Sequence, residues 1–168
     1  MRQKNLFKLK DYSSEFGGSL LQKKKRKGLR PLSSQNAHHF VLRADVAKSG
    51  SLLKHRQLID QSFLIFGSKF GVQIYRYAVV SNHIHFIAHF SHRECYIKFI
   101  RAFCGCLALK CRMKWVSRPW SRILSWGRAF QVALQYVLQN HLEAIGVIPY
   151  QPRRRKGRLR TWLRAPDG

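Results

Sequence analysis

Hydrophobic and polar positions alternate with two different periods along this chain, and the switches between them mark its elements. In His38–Asp45, Phe40 and Leu42 share one face while Val41 and Arg43 share the other, the period of a strand. Leu52, Ile59, Phe63, Phe66 and Phe70 keep near-helical spacing and predict an amphipathic helix over 52–70. Lys48-Ser49-Gly50-Ser51 supplies turn and N-cap chemistry before it, and Gly71 stands where a C-cap glycine belongs. Strands are predicted over 72–80 and 83–89, joined by the short polar connection Ser81-Asn82. A second helix is expected over 94–115, and Pro119 stops any continuation. Large and small residues alternate in 120–126, predicting a short strand. Gly127-Arg128 then opens a last helix over 129–145, closed by Gly146. The order β-α-β-β-α-β-α predicts an α+β fold of ferredoxin-like type, an antiparallel sheet with helices packed on one face.

Length and charge add organisation. The chain has 168 residues, enough for one domain with tails. Residues 1–35 read as a basic arm that includes Lys24, Lys25 and Arg26; residues 36–148 read as the folded domain. Residues 149–168 read as a basic tail with Arg153, Arg154 and Arg155, and Trp162 available to stack on a base. Thirty-two Lys and Arg face seven Asp and Glu, a net charge of +25. Such an excess calls for a polyanion, nucleic acid ahead of an anionic membrane surface, because phosphate neutralisation releases condensed counterions. No run of 18 apolar residues and no apolar stretch after the basic start are present, so a cytoplasmic, nucleoid-associated protein with no membrane span is expected. Cys95, Cys104, Cys106 and Cys111 lack the paired spacing of a zinc site and read as small buried apolar residues. The few acids are scattered, which argues against a nuclease built on carboxylate-held metals.

The chemistry centres on Ser81-Asn82-His83-Ile84-His85-Phe86. In a strand, His83 and His85 point to one side, roughly 6–7 Å apart along the backbone, while Ile84 and Phe86 point into a core. Alone, the pair reads as two polar residues on a wet face, and His39 reads as a packed strand-end histidine, not a ligand. The last helix adds Tyr136 and Asn140, four residues apart on one face. Alone, Tyr136 beside Val137 and Leu138 reads as a core aromatic. Together they form a coherent set. His83, His85 and the amide oxygen of Asn140 can present three donors to Mg²⁺ or Mn²⁺, which would polarise a phosphate. Tyr136 would supply a phenolic nucleophile, whose ordinary pKa near 10 calls for help in deprotonation.

Six segments carry a family resemblance: Phe16–Leu21, Arg30–Ser33, His39–Ala44, Ser81–Phe86, Trp120–Arg128 and Tyr136–Asn140. Over residues 12–155 the chain resembles the REP-associated tyrosine transposases, a branch of the single-strand insertion-sequence transposases in the HUH endonuclease superfamily. The resemblance implies single-stranded DNA with palindromic hairpins as substrate. It implies attack by Tyr136 to give a 5′-phosphotyrosine and a free 3′-OH, and His83 and His85 as metal ligands. Asn140 carries over as the third ligand, although glutamine fills this slot in the insertion-sequence branch. A monomer or a homodimer fits the resemblance. Arg43, Arg122 and Arg128 are then candidate DNA contacts, with Lys24, Lys25, Arg26, Arg153, Arg154 and Arg155 tracking phosphate. The rival reading is a non-catalytic nucleic-acid binder, which explains the charge equally well.

Overall fold

The computed structural model describes residues 16–17 and 30–152. The fold is α+β. Strands β1 (Phe16–Gly17), β2 (Ala37–Arg43), β3 (Val72–Val79), β4 (His83–Phe90) and β5 (Trp120–Leu124) form one antiparallel sheet in the order β1-β5-β2-β4-β3. The helices are α1 (Val46–Ser49), α2 (Arg56–Lys69), α3 (Arg93–Lys110) and α4 (Arg128–Ala144). The crossover through α2 joins β2 to β3 around β4, and that through α3 joins β4 to β5 around β2.

Two apolar clusters sit on opposite faces of the sheet. Phe40, Leu42, Ile84, Phe86 and Phe90 pack against Ile59 and Phe63 of α2 and Phe99, Phe103 and Leu107 of α3. The rings interlock, with Phe40–Phe86 centroids at 4.8 Å and Phe63–Phe103 at 4.4 Å. The other face is thinner. Ala37, Ala78, Ile87 and Leu124 meet Phe130, Ala133 and Val137 of α4. The expectation of helices on one face therefore holds for α2 and α3, whereas α4 covers the other side. The reason lies in β4: its full run, from Ile84 to Ala88, is buried, and a strand buried on both faces needs a layer on each.

Two helices differ from their predicted extents. The helix expected over 52–70 begins as a 3₁₀ turn, Leu52–His55, where the Ser51 side chain caps by accepting from Leu53 N. Arg56–Lys69 continues it as α-helix, and Gly71 takes a left-handed φ of 62° beyond its end. The helix expected to reach Trp115 stops at Lys110, because Arg112 turns left-handed with φ 49°. The next residues then pair with the end of β2: Asp45 N donates to Lys114 O at 2.8 Å and Val116 N to Arg43 O at 2.9 Å. Helix α3 lies across the sheet from the cleft under α4.

Part of the basic arm is pinned to the sheet. Phe16 and Gly17 pair with Arg122 and Ser121 of β5, and Arg30 Nη1 donates to Ser121 Oγ at 2.6 Å. A Cβ on Gly17 would meet Arg30 Cγ at 2.7 Å and Ser121 Oγ at 2.9 Å, so only glycine lets the strands approach this closely.

Candidate functional site

Strand register assembles the site. Val41 stands opposite His85 and Arg43 opposite His83 across β2 and β4. On the other side of β2, Val41 stands opposite Trp120 and His39 opposite Arg122. Directly paired residues share a face, so His39, Val41, Arg43, His83, His85, Trp120 and Arg122 form one patch across three strands. The N-terminal half of α4 roofs part of it. The resulting cavity, about 690 Å³, is walled by these side chains together with Asn82, Tyr136 and the apolar Leu124, Ala129, Val132 and Ala133.

At its centre two imidazoles meet. His83 Nε2 lies 2.8 Å from His85 Nε2, and the ring planes stand at 86°. Each ring is held at its far side. Asn82 Oδ1 lies 2.6 Å from His83 Nδ1, and His39 Nε2 lies 3.1 Å from His85 Nδ1. The Tyr136 ring stands edge-on to His85, centroids 5.4 Å apart, and to His39 at 5.9 Å. Tyr136 is 36% exposed, at the mouth rather than in the core. Burial, followed by the positive charge of Arg122, pushes His39 down to about 4, so it is neutral at physiological pH.

Two cis donors on a six-coordinate cation stand about 3.0 Å apart at a bond length of about 2.1 Å. The observed 2.8 Å between the two Nε2 atoms is within a few tenths of an ångström of that spacing. His83 and His85 therefore fit. Among the described residues no cluster of three or more His, Cys, Asp or Glu could hold a metal, because His39 turns its Nε2 to His85 Nδ1 instead of into the shared space. Asn140 is buried one turn along α4, its Nδ2 donating to Tyr136 O at 2.7 Å. It does not line the cavity.

Of the residues expected from sequence, His83, His85, Tyr136, Arg43 and Arg122 come together. Arg128 is exposed at the start of α4 and outside the lining. Lys24, Lys25, Arg26, Arg153, Arg154 and Arg155 lie outside the described residues. His39, Asn82 and Trp120 join the site without having been singled out for it. The signal for His39 was its parity: it shares a strand face with Val41 and Arg43, but that face becomes the site only once β2 pairs with β4.

No family model matches the sequence, and no curated protein matches it. The fold does match solved structures. A REP-associated tyrosine transposase bound to a REP hairpin superposes with a TM-score of 0.56 at 14% identity, covering 71% of this chain and 74% of that one. A protein of Deinococcus radiodurans R1, provisionally assigned as a transposase, matches at a TM-score of 0.44 and 13% identity, covering 71% of this chain and 98% of that one. Among the described residues, no helix is long and apolar enough to cross a membrane.

Proposed function

We propose that this chain is a tyrosine transposase that cuts and rejoins single-stranded, hairpin-bearing DNA. The observation that carries the reading is the facing His83–His85 pair with the Tyr136 ring edge-on beside it in one cavity. The transposase fold of the hairpin-bound structure supports it.

In this reading the phenolic oxygen of Tyr136 attacks the phosphorus of a backbone phosphodiester. The P–O3′ bond breaks, and the leaving 3′ oxygen takes up a proton. The product is a 5′-phosphotyrosine with a free 3′-OH. A phosphodiester is retained throughout, so the reverse attack by a 3′-OH rejoins a strand without an energy source. A divalent cation held by His83 and His85 would stabilise the charge that develops on the phosphate, and Asn140, which lies outside the cavity wall, would become a third donor only by turning its amide away from Tyr136 O. Arg43 and Arg122, both in the cavity wall, hold the phosphates on either side by charge-assisted hydrogen bonds.

The test is a denaturing gel of the protein incubated with single-stranded hairpin DNA and Mn²⁺, wild type beside Tyr136→Phe. A covalent protein–DNA band is expected with wild type alone, while the variant binds the DNA about equally. Cleavage by Tyr136→Phe at the wild-type rate would remove Tyr136 as nucleophile. Salt-sensitive binding with no adduct on any hairpin tried would leave a nucleic-acid binder, the reading that the net charge of +25 also supports.

A further inference from the structure

Hydrogen positions in the buried histidine chain follow from one end. Asn82 Oδ1 can only accept, so His83 Nδ1, 2.6 Å away, carries the hydrogen. Neutral His83 then has a bare lone pair on Nε2. Two lone pairs facing at 2.8 Å repel, so the hydrogen between the two rings belongs to His85 Nε2. That leaves His85 Nδ1 bare, and the hydrogen on its 3.1 Å contact must come from His39 Nε2. The wiring is directional: His39 donates to His85, His85 to His83, and His83 to Asn82.

A cation cannot share His85 Nε2 with that hydrogen. If one binds, the hydrogen on His85 must stand on Nδ1, and His39 must then accept where it had donated. A neutral imidazole does both by moving its own hydrogen from Nε2 to Nδ1, with no net gain or loss of protons. A serine could donate and accept but would not span the distance, and a carboxylate could only accept. His39 is 8% exposed and flanked edge-on by the rings of Trp120 at 5.7 Å and Tyr136 at 5.9 Å, so its ring cannot swing away.

We propose that His39 and Asn82 are positioning residues of the His83–His85 pair, and that His39 reverses its hydrogen bond to His85 when a divalent cation occupies the pair. This rests on the metal-holding reading of that pair. His39 is not itself a donor to the ion: it touches His85 through Nδ1, on the opposite side of the ring from Nε2. Partners of this kind set ligand orientation and are worth about ten- to a hundredfold in metal affinity.

Two measurements on the full chain decide it. The first is the ¹⁵N–¹H long-range spectrum of histidine-labelled protein without metal. His85 is expected to carry its hydrogen on Nε2 and His83 on Nδ1; a hydrogen on His85 Nδ1 would overturn the wiring. The second is Mn²⁺ affinity by electron paramagnetic resonance for wild type, His39→Phe, His39→Gln and Asn82→Ala, with His83→Ala as the control without the pair. Loss of about tenfold or more is expected in His39→Phe and Asn82→Ala. Recovery to within about threefold is expected in His39→Gln, whose amide can turn to donate or accept. Wild-type affinity in His39→Phe would overturn the proposal, as would equal loss in the Gln and Phe variants when both fold. If wild type binds Mn²⁺ no better than His83→Ala, the metal-holding reading itself fails, and the metal-free spectrum still decides the wiring.

Discussion

Acid sensitivity is expected to be written into the fold through His38. This residue is fully buried on the α2–α3 face of β2, stacked on Phe90 at 4.7 Å and Phe40 at 5.7 Å. Its Nε2 accepts from Ser33 N at 3.0 Å, so the neutral ring carries its hydrogen on Nδ1, which has no protein partner among the described residues. Burial first, then the positive charges of His89 and Arg30, push its pKa down from 6.5 to about 4. The folded state therefore holds the neutral ring, while the unfolded chain binds a proton below about 6.5. Stability is full above that value and is lost as pH falls toward about 4, below which both states are protonated and the loss ends. Each pH unit inside the window removes about 1.4 kcal/mol, so the whole window removes about 3 kcal/mol. That is a large share of the stability of an ordinary domain, about 5–15 kcal/mol. The assay is urea unfolding at half-unit steps from pH 7.5 to 4, wild type against His38→Gln. Glutamine keeps an acceptor near the Nε2 position and does not titrate, so the difference between the two curves isolates this residue from His39 and the carboxylates. The difference should grow steadily from pH 6.5 downward in favour of the variant. Parallel curves across the window would refute the reasoning.

Further outcomes follow from the same geometry. Imidazole donors favour transition-metal cations over Mg²⁺, so Mn²⁺ should support adduct formation at lower concentration than Mg²⁺; a titration of both metals on one hairpin checks this. Arg122→Ala should weaken single-strand binding and reduce the slope of log K against log salt by about 0.7, the value of one phosphate contact, as read from fluorescence anisotropy at several salt concentrations. Phe86→Ala, at the centre of the interlocked rings, should cost about 3–5 kcal/mol in urea unfolding without changing the separation of His83 and His85. Gly17→Ala should cost about 1–3 kcal/mol, because the new methyl must displace the Arg30 side chain from its 2.6 Å bond to Ser121. A Gly17→Ala protein as stable as wild type would refute the close-approach argument at this position.

Periodicity along the chain was enough to place the four main strands, the three long helices and the inward-facing Phe40, Leu42, Ile84 and Phe86, because strand alternation and helical repeat are local properties of the backbone. The same local rule puts His83 and His85 on one side of their strand, but it places Tyr136 on a face with Asn140 and reads it as a core aromatic, whereas Tyr136 is exposed beside the buried stripe of Ala133, Val137 and Asn140. Local rules fail where partners are distant in sequence. Helical spacing carries α3 on to Trp115 because residues 112–114 are good helix formers, whereas hydrogen bonds to Arg43 and Asp45 draw the segment at 114–116 into an extended path. Which face α4 covers was equally invisible, since Ala37, Ala78, Ile87 and Leu124 come from four different strands. His39 is the sharpest case. As a sequence position it is a histidine between His38 and Phe40 near a strand end, and packing is the economical reading. It becomes the partner of His85 because β2 and β4 pair with Val41 opposite His85, which makes residues 39 and 85 diagonal neighbours on one face. A shift of one residue in that register would turn His39 to the other side of the sheet, toward α2 and α3. Composition and motif determined which chemical groups this chain has to work with. Strand pairing, settled by the burial of two faces at once, decided which of those groups meet.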